Sequence, residues 1–443
     1  MKPTSFIASL AAFTFCATSH ADVVVDITGA TAFRAATLLS IRAQFTASGQ
    51  PYKFAHDQTT AGGTIYSGAT RSIWIGSFPG VSGTTTIRTS FNGSVEGIRA
   101  LVDSPASDPT YYQSSLLTST TAITGGAELH NQGTTGAAAS QSEIAFSDVS
   151  KTITPFASFS LQPSSPAVGV VAFTMLTNEG SAVTNVTAQQ FRAILANGFQ
   201  PLSMFTGNAA DVTNVFATGR NDGSGTRSSY LSETGYGVST PVKQYVTIAS
   251  TSTALSTIML VPAGGVYDKD PGTAGVQPVG QLAANASTVW GQDVGGNGGY
   301  SSGSTLRTDM GKTGLAVTVL DDIAEDSFGV PVRADLVTWL SLNDAVTARA
   351  SGAVFCGYNG VRLDGIAAAG TTLTADDKAK ITQGLYTGWN YQQMYRRNDI
   401  TTGDVVTVYN GIKTAIGSNL GAAGIALTDM RVSRANDGGT VAP

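Results

Sequence analysis

The chain has 443 residues, with 25 Lys and Arg against 30 Asp and Glu for a formal net charge of −5. That balance, with no Lys/Arg run to override it, excludes a nucleic-acid partner gripped through its phosphates. The length exceeds what one core accommodates, so two or more lobes are expected. Charged residues make up 12%, about half the usual ~25%, and Gly, Ser, Thr and Ala fill the difference, as suits long polar loops.

Taken in chain order, Lys2 supplies a positive end and Phe6 to Ala17 a short apolar stretch, followed by Ser19-His20-Ala21. This is the pattern of a cleaved signal peptide over 1–21, with a mature start at Asp22 and a periplasmic or extracellular destination. Cleavage removes Cys16 and leaves Cys356 alone, so stability comes from packing rather than a disulfide. No later stretch approaches the ~20 apolar residues of a membrane-spanning helix, and a monomer that does not span the membrane is expected.

Asp22 to Thr28 (DVVVDIT) reads as a strand ending in a Gly29-Ala30 turn, and Phe33 to Phe45 as a helix. Val95 to Leu101 reads as a helix after Asn92-Gly93-Ser94, and Ile144 to Asp148 as a strand entering a turn. Val168 to Leu176 is an apolar, β-branched run expected to be a buried strand. Thr187 and Gln190 stand in capping-box spacing at the head of a helix over 188–196. Asn214 to Thr218 and Gly314 to Leu320 read as strands, and Ala375 to Gln383, Tyr386 to Tyr395 and Val405 to Ile416 as helices. Strands alternating with helices indicate an α/β protein.

The strongest local signal is Gly219-Arg220-Asn221-Asp222-Gly223-Ser224-Gly225-Thr226-Arg227, which follows a strand and opens a helix. Glycines there let several N–H groups converge where the helix end is partially positive. Ser224 and Thr226 add hydroxyls, and Arg220 a fork that matches an oxyanion. Taken alone, the segment equally fits an ordinary Gly/Ser loop with a helix cap. Other motifs are weaker. Gly299-Tyr300-Ser301-Ser302-Gly303 matches a nucleophile elbow, but His20, His56 and His130 all precede it where that chemistry needs a later histidine. The same scarcity argues against a histidine zinc site. Gly311-Lys312-Thr313 lacks the first glycine of a P-loop, and Asp268-Lys269-Asp270 lacks the closing Glu of a calcium loop. No enzyme, metal or cofactor is expected.

GRNDGSGTR resembles the RxDGSGT signature of the phosphate-binding subunit of bacterial phosphate ABC importers. Four further segments resemble that family in its order: Thr28 to Phe33 as the first phosphate loop, Asn92 to Val95 as the second, Phe146-Ser147-Asp148 as its GASD turn, and Val168 to Leu195 as a crossing strand and helix. Trp290 to Gly299 and Gly314 to Leu320 resemble the return to the first lobe. The resemblance implies a type II periplasmic binding protein fold with mixed, mostly parallel sheets. Lobe one would comprise 22–170 and 316–443, lobe two 171–315, and the crossing strands would lie near 168–174 and 314–320. Insertions would fall near 48–88, 103–142 and 250–288.

The resemblance also implies a phosphate site. Thr31, Ala32 and Phe33 would contact the anion from lobe one with Asn92 and Ser94. Arg220, oriented by Asp222, would pair with it, and Ser224, Gly225 and Thr226 would donate from lobe two. Asp148 beside an anion makes sense if the ligand carries a proton to donate, as hydrogen phosphate does and sulfate does not; a turn or cap residue is its other reading. The implied partners are phosphate or a similar tetrahedral oxyanion and an ABC permease. The first loop is one residue shorter than the family's and places Ala32 where a hydroxyl belongs. The alternative is therefore an exported structural or interaction protein that keeps the fold with a drifted or unused site.

Overall fold

A computed structural model of the chain describes residues 22–443 apart from 103–108, 135, 262–267, 270–297, 301, 323–324, 327, 364, 366–372 and 421–423. The expected signal peptide lies outside the described residues, as do most of 290–299 and of the segment 250–288.

The DVVVDIT run forms the strand Val23–Gly29, whose last five residues are buried. It pairs in parallel with Thr85–Ser90 on one side and Ile144–Ser147 on the other. Two antiparallel strands, Arg71–Gly76 and Lys53–His56, extend this sheet. The segment 48–88, expected to be an insertion, thus builds the sheet itself, and the Phe54 and Trp74 rings stack within it at 4.3 Å. Helices Arg34–Ala47 and Asp404–Ile416 pack on one another, closing a core that contains Ile27, Leu38, Phe45, Trp74, Met394 and Ile412. On a separate cluster, helix Ser94–Val102 sets Ile98 and Leu101 against Ala145 and Tyr395.

A second, larger core contains Phe173, Phe191, Phe216, Leu306, Trp339 and Phe355. Its parallel strands Asn214–Ala217 and Ala334–Ser341 lie beside the run 167–177. The Thr187 capping box forms as its spacing predicts: Thr187 Oγ1 accepts from the Gln190 N–H at 3.2 Å, and Gln190 Oε1 accepts from the Thr187 N–H at 2.8 Å.

Two strands join the lobes. In Ala167–Thr177, residues 167–172 pair with 389–393, and residues 173–177 pair with 337–341. Trp389–Arg396 in turn pairs with Ile144–Ser147 through its last four residues. One mixed sheet therefore runs through both lobes, parallel around Val23–Gly29 and antiparallel at the crossing.

The second crossing differs from the sequence expectation. The strand near 314–320 exists as Thr318–Asp322, but it pairs with Leu255–Leu260 in a separate four-stranded sheet. Val317 and Val319 belong to the second core, and so do Leu336, Trp339, Phe355 and Ile381 from the stretch assigned to lobe one. The segment 386–395, expected to be helical, supplies the crossing instead. Both faces of Trp389–Arg396 are largely buried, which erases the alternation that marks a half-exposed strand, although its aromatic content favours one.

Candidate functional site

The turn after Ile144–Ser147 presents Asp148, 2% exposed, to the start of helix Ser94–Val102. The Ser94 hydroxyl donates to Asp148 Oδ1, and the Asp148 N–H donates back to Ser94 Oγ at 3.2 Å. The Asp148 carbonyl accepts from the Asn390 amide at 3.2 Å, which ties the turn to the crossing strand. Gly29 seats this arrangement. Its φ of +121° is open to glycine, and a Cβ there would overlap the Phe146 backbone.

The second lobe brings the Gly/Ser loop to the same place. Strand Gly299–Tyr300 bridges Arg220, and Arg220 Nε donates to the Tyr300 carbonyl at 2.9 Å. The Gln244 amide donates to the Arg220 carbonyl at 3.1 Å. Helix Gly225–Glu233 follows, and Gly225 through Leu231 are all buried although Thr226, Arg227, Ser228 and Ser229 are polar. A Cβ on Gly225 would overlap Asp148 Oδ1 and Ser94 Oγ, so the two lobes touch at this point. The contact continues through the Gly223 carbonyl, which accepts from the Val95 and Glu96 N–H groups at 3.1 and 3.3 Å.

Burial pushes the Asp148 carboxyl above its ordinary range, while the Ser94 hydroxyl and then the Arg220 charge pull it down. Arg220, Asp222, Ser224 and Thr226 are each at most 3% exposed. The structure therefore gathers Ser94, Asp148 and Gly225 in direct contact, with Arg220 near enough to act on Asp148 by its charge. Asn92 is exposed. Phe33 is buried, with its ring edge-on to Phe146 at 5.1 Å and its N–H bonded to the Ala30 carbonyl at 3.2 Å. Thr31, Ala32 and Phe33 line a cavity with Arg34 and Arg307.

Sequence reasoning missed Asn390, which lies in the segment read as a helix, and the Gly223 carbonyl, which no side-chain motif announces. Lys312, from the P-loop-like triplet, is paired with Asp309 at 2.7 Å. Asp309 in turn accepts from the Tyr300 hydroxyl at 2.8 Å, so this group braces the strand beside Arg220. Cys356 is buried and burial raises its thiol to about 11, which leaves it protonated at neutral pH. No described helix is long and apolar enough to cross a membrane.

No family model matches the sequence, and no curated protein matches it. Among solved structures, a chain from Clostridium perfringens solved with bound phosphate is similar at 12% identity and a TM-score of 0.43, covering 91% of this chain and 99% of that one. An ABC-type phosphate transport receptor from Vibrio cholerae is similar at 12% identity and 0.39, covering 90% and 96%. PstS from Borrelia burgdorferi is similar at 11% identity and 0.34, covering 91% and 98%.

Proposed function

We propose that this chain is an exported solute-binding protein that captures an inorganic oxyanion, phosphate above others, between its lobes for ABC-type uptake. The observation that carries the reading is Asp148: a buried carboxyl held by Ser94 at one helix start, against Gly225 at another, within reach of the Arg220 charge. Two helix N-termini and a guanidinium attract an anion. A carboxylate among them repels every anion that brings no proton. Hydrogen phosphate supplies one, and fully ionised sulfate leaves the acceptor unpaired at a cost of roughly 1–3 kcal/mol or more. The order of the resembling sequence segments supports the same ligand. Binding that uses donors from both lobes favours the closed arrangement over the open one.

Calorimetry on the Arg220→Ala variant tests the reading. Truncating one partner of a buried charge pair costs about 2–5 kcal/mol, so phosphate affinity falls by at least tenfold. Affinity equal to wild type removes Arg220 from the site.

A second reading draws on the Gly223 carbonyl. It accepts from the Val95 and Glu96 N–H groups directly, so protein atoms from one lobe occupy donors at the other lobe's helix start. This favours a chain that keeps the fold and joins its lobes through an unused anion site, acting as a structural or interaction protein. Absence of phosphate binding, with a compact fold by small-angle scattering, is its expected signature.

A further inference from the structure

A cavity of about 330 Å³ lies where the first helix of lobe one meets the second lobe, lined by Thr31, Arg34, Arg307, Ser341, Asn343 and Asp344 among others. Its charges are unevenly matched. Arg307 is paired with Asp344 at 2.8 Å, and the Ser341 hydroxyl donates to the same carboxylate at 3.3 Å. Arg34 has no ion pair with a carboxylate among the described residues; its hydrogen bond is a long one, 3.4 Å from Nη1 to Thr70 Oγ1. Arg34 is half-buried, and that burial holds it below the ordinary guanidinium range, with the charges of Asp344 and then Asp57 opposing. A cation partly drawn out of water, with carboxylates acting on it only at a distance, gains from an anion in direct contact.

Two helix starts add to this. Helix Arg34–Ala47 begins at Phe33 and helix Leu342–Ala350 at Ser341, each without a side-chain cap, and both starts line the cavity. Their partial positive charges add to Arg34, while Arg307 and Asp344 cancel. The volume falls at the lower end of the ~300–1,000 Å³ typical of sites for small organic ligands, more than a bare tetrahedral ion requires. Leu39 and Leu420 give the cavity an apolar side, and Asn343 and Asn419 offer amides.

We infer that this cavity binds a small hydroxylated organic anion, its charged head on Arg34 and its carbon body between Leu39 and Leu420. A phosphate or a carboxylate head fits the guanidinium fork equally. The hydroxyls of the ligand donate to Asp344 and bond with the asparagine amides. The charged groups here are not those around Asp148, and what the cavity shares with the phosphate reading is the loop Thr31 to Phe33.

The test is calorimetry on the full chain with glycerol 3-phosphate, gluconate and neutral glycerol, repeated on Arg34→Gln. Binding of at least one of the two anions, no binding of glycerol, and at least a tenfold loss in Arg34→Gln are expected. Whichever anion binds identifies the head group. Leu39→Trp, which fills the apolar side, gives a second reading if Arg34→Gln fails to fold, and it too loses binding. Inorganic phosphate titrated into wild type and Arg34→Gln separates the two sites, because binding at Asp148 keeps its affinity in Arg34→Gln. Neither anion binding while phosphate does, or undiminished binding in a folded Arg34→Gln or Leu39→Trp, overturns the inference.

Discussion

Gly225 and Asp148 show how tightly single residues are constrained here. The Gly225 backbone meets Asp148 and Ser94 so closely that any Cβ displaces them. Gly225→Ala is therefore expected to weaken phosphate binding at least tenfold, by calorimetry, because the two lobes no longer close on the same geometry. Asp148 sets selectivity by the proton. An Asp148→Asn variant offers an N–H donor in place of an acceptor, so sulfate then competes with phosphate in a displacement titration; sulfate excluded as before removes Asp148 from ligand selection. The glycines, hydroxyls and Arg220 of this site were legible because their residue types carry the chemistry in a compact run. Arg34 was not. It directly follows the loop matched to the anion site, and nothing in sequence tells whether a distant carboxylate will pair with it.

At the level of elements, the C-terminal tail does more than its sequence suggests. Arg434 is paired with Glu233 at 2.9 Å, donates to the Thr387 carbonyl at 2.7 Å and lies over the Trp389 ring at 4.2 Å. It thus ties helix Gly225–Glu233 to the crossing strand Trp389–Arg396. Glu233 is 7% exposed in its side chain, and burial already pushes its carboxyl upward against the pull of Arg434. Removing one partner of a buried pair typically costs about 3–5 kcal/mol. Arg434→Ala is expected to lower stability by that order in urea unfolding, whereas a change under ~1 kcal/mol contradicts the buried pairing. The tail's role was hidden because ion pairs between residues 201 positions apart leave no local trace. The helices with end signals were legible: Thr187–Gln190 forms its box, and Asp404–Ile416 matches the expected 405–416. The second crossing was not, since a strand buried on both faces has no period to read.

Across the whole molecule, two cores share one sheet, and buried acids set how stability responds to pH. Burial raises Glu143 and Asp437 to about 7 each, while unfolded carboxyls titrate near ~4. Between those values the folded chain binds more protons than the unfolded one, so these groups favour folding at low pH and lose that contribution as pH rises from ~4 to about 7. Urea unfolding at several pH values is expected to show stability falling across this window. A Glu143→Gln, Asp437→Asn double variant keeps the acceptors for the Asp26 and Ser150 N–H groups and flattens the slope; an unchanged slope assigns the effect elsewhere. Length and strand–helix alternation pointed to two or more α/β lobes, but Leu336, Trp339, Phe355 and Ile381 fell to the second core because their partners were set by packing across the crossing strands.

The central claim is most directly tested by calorimetric titration of the ligand-stripped chain, from residue 22 onward, with phosphate in the presence of excess sulfate. Saturable one-to-one phosphate binding that sulfate leaves unchanged is the predicted result. No heat of binding from phosphate, or full displacement by sulfate at neutral pH, contradicts it.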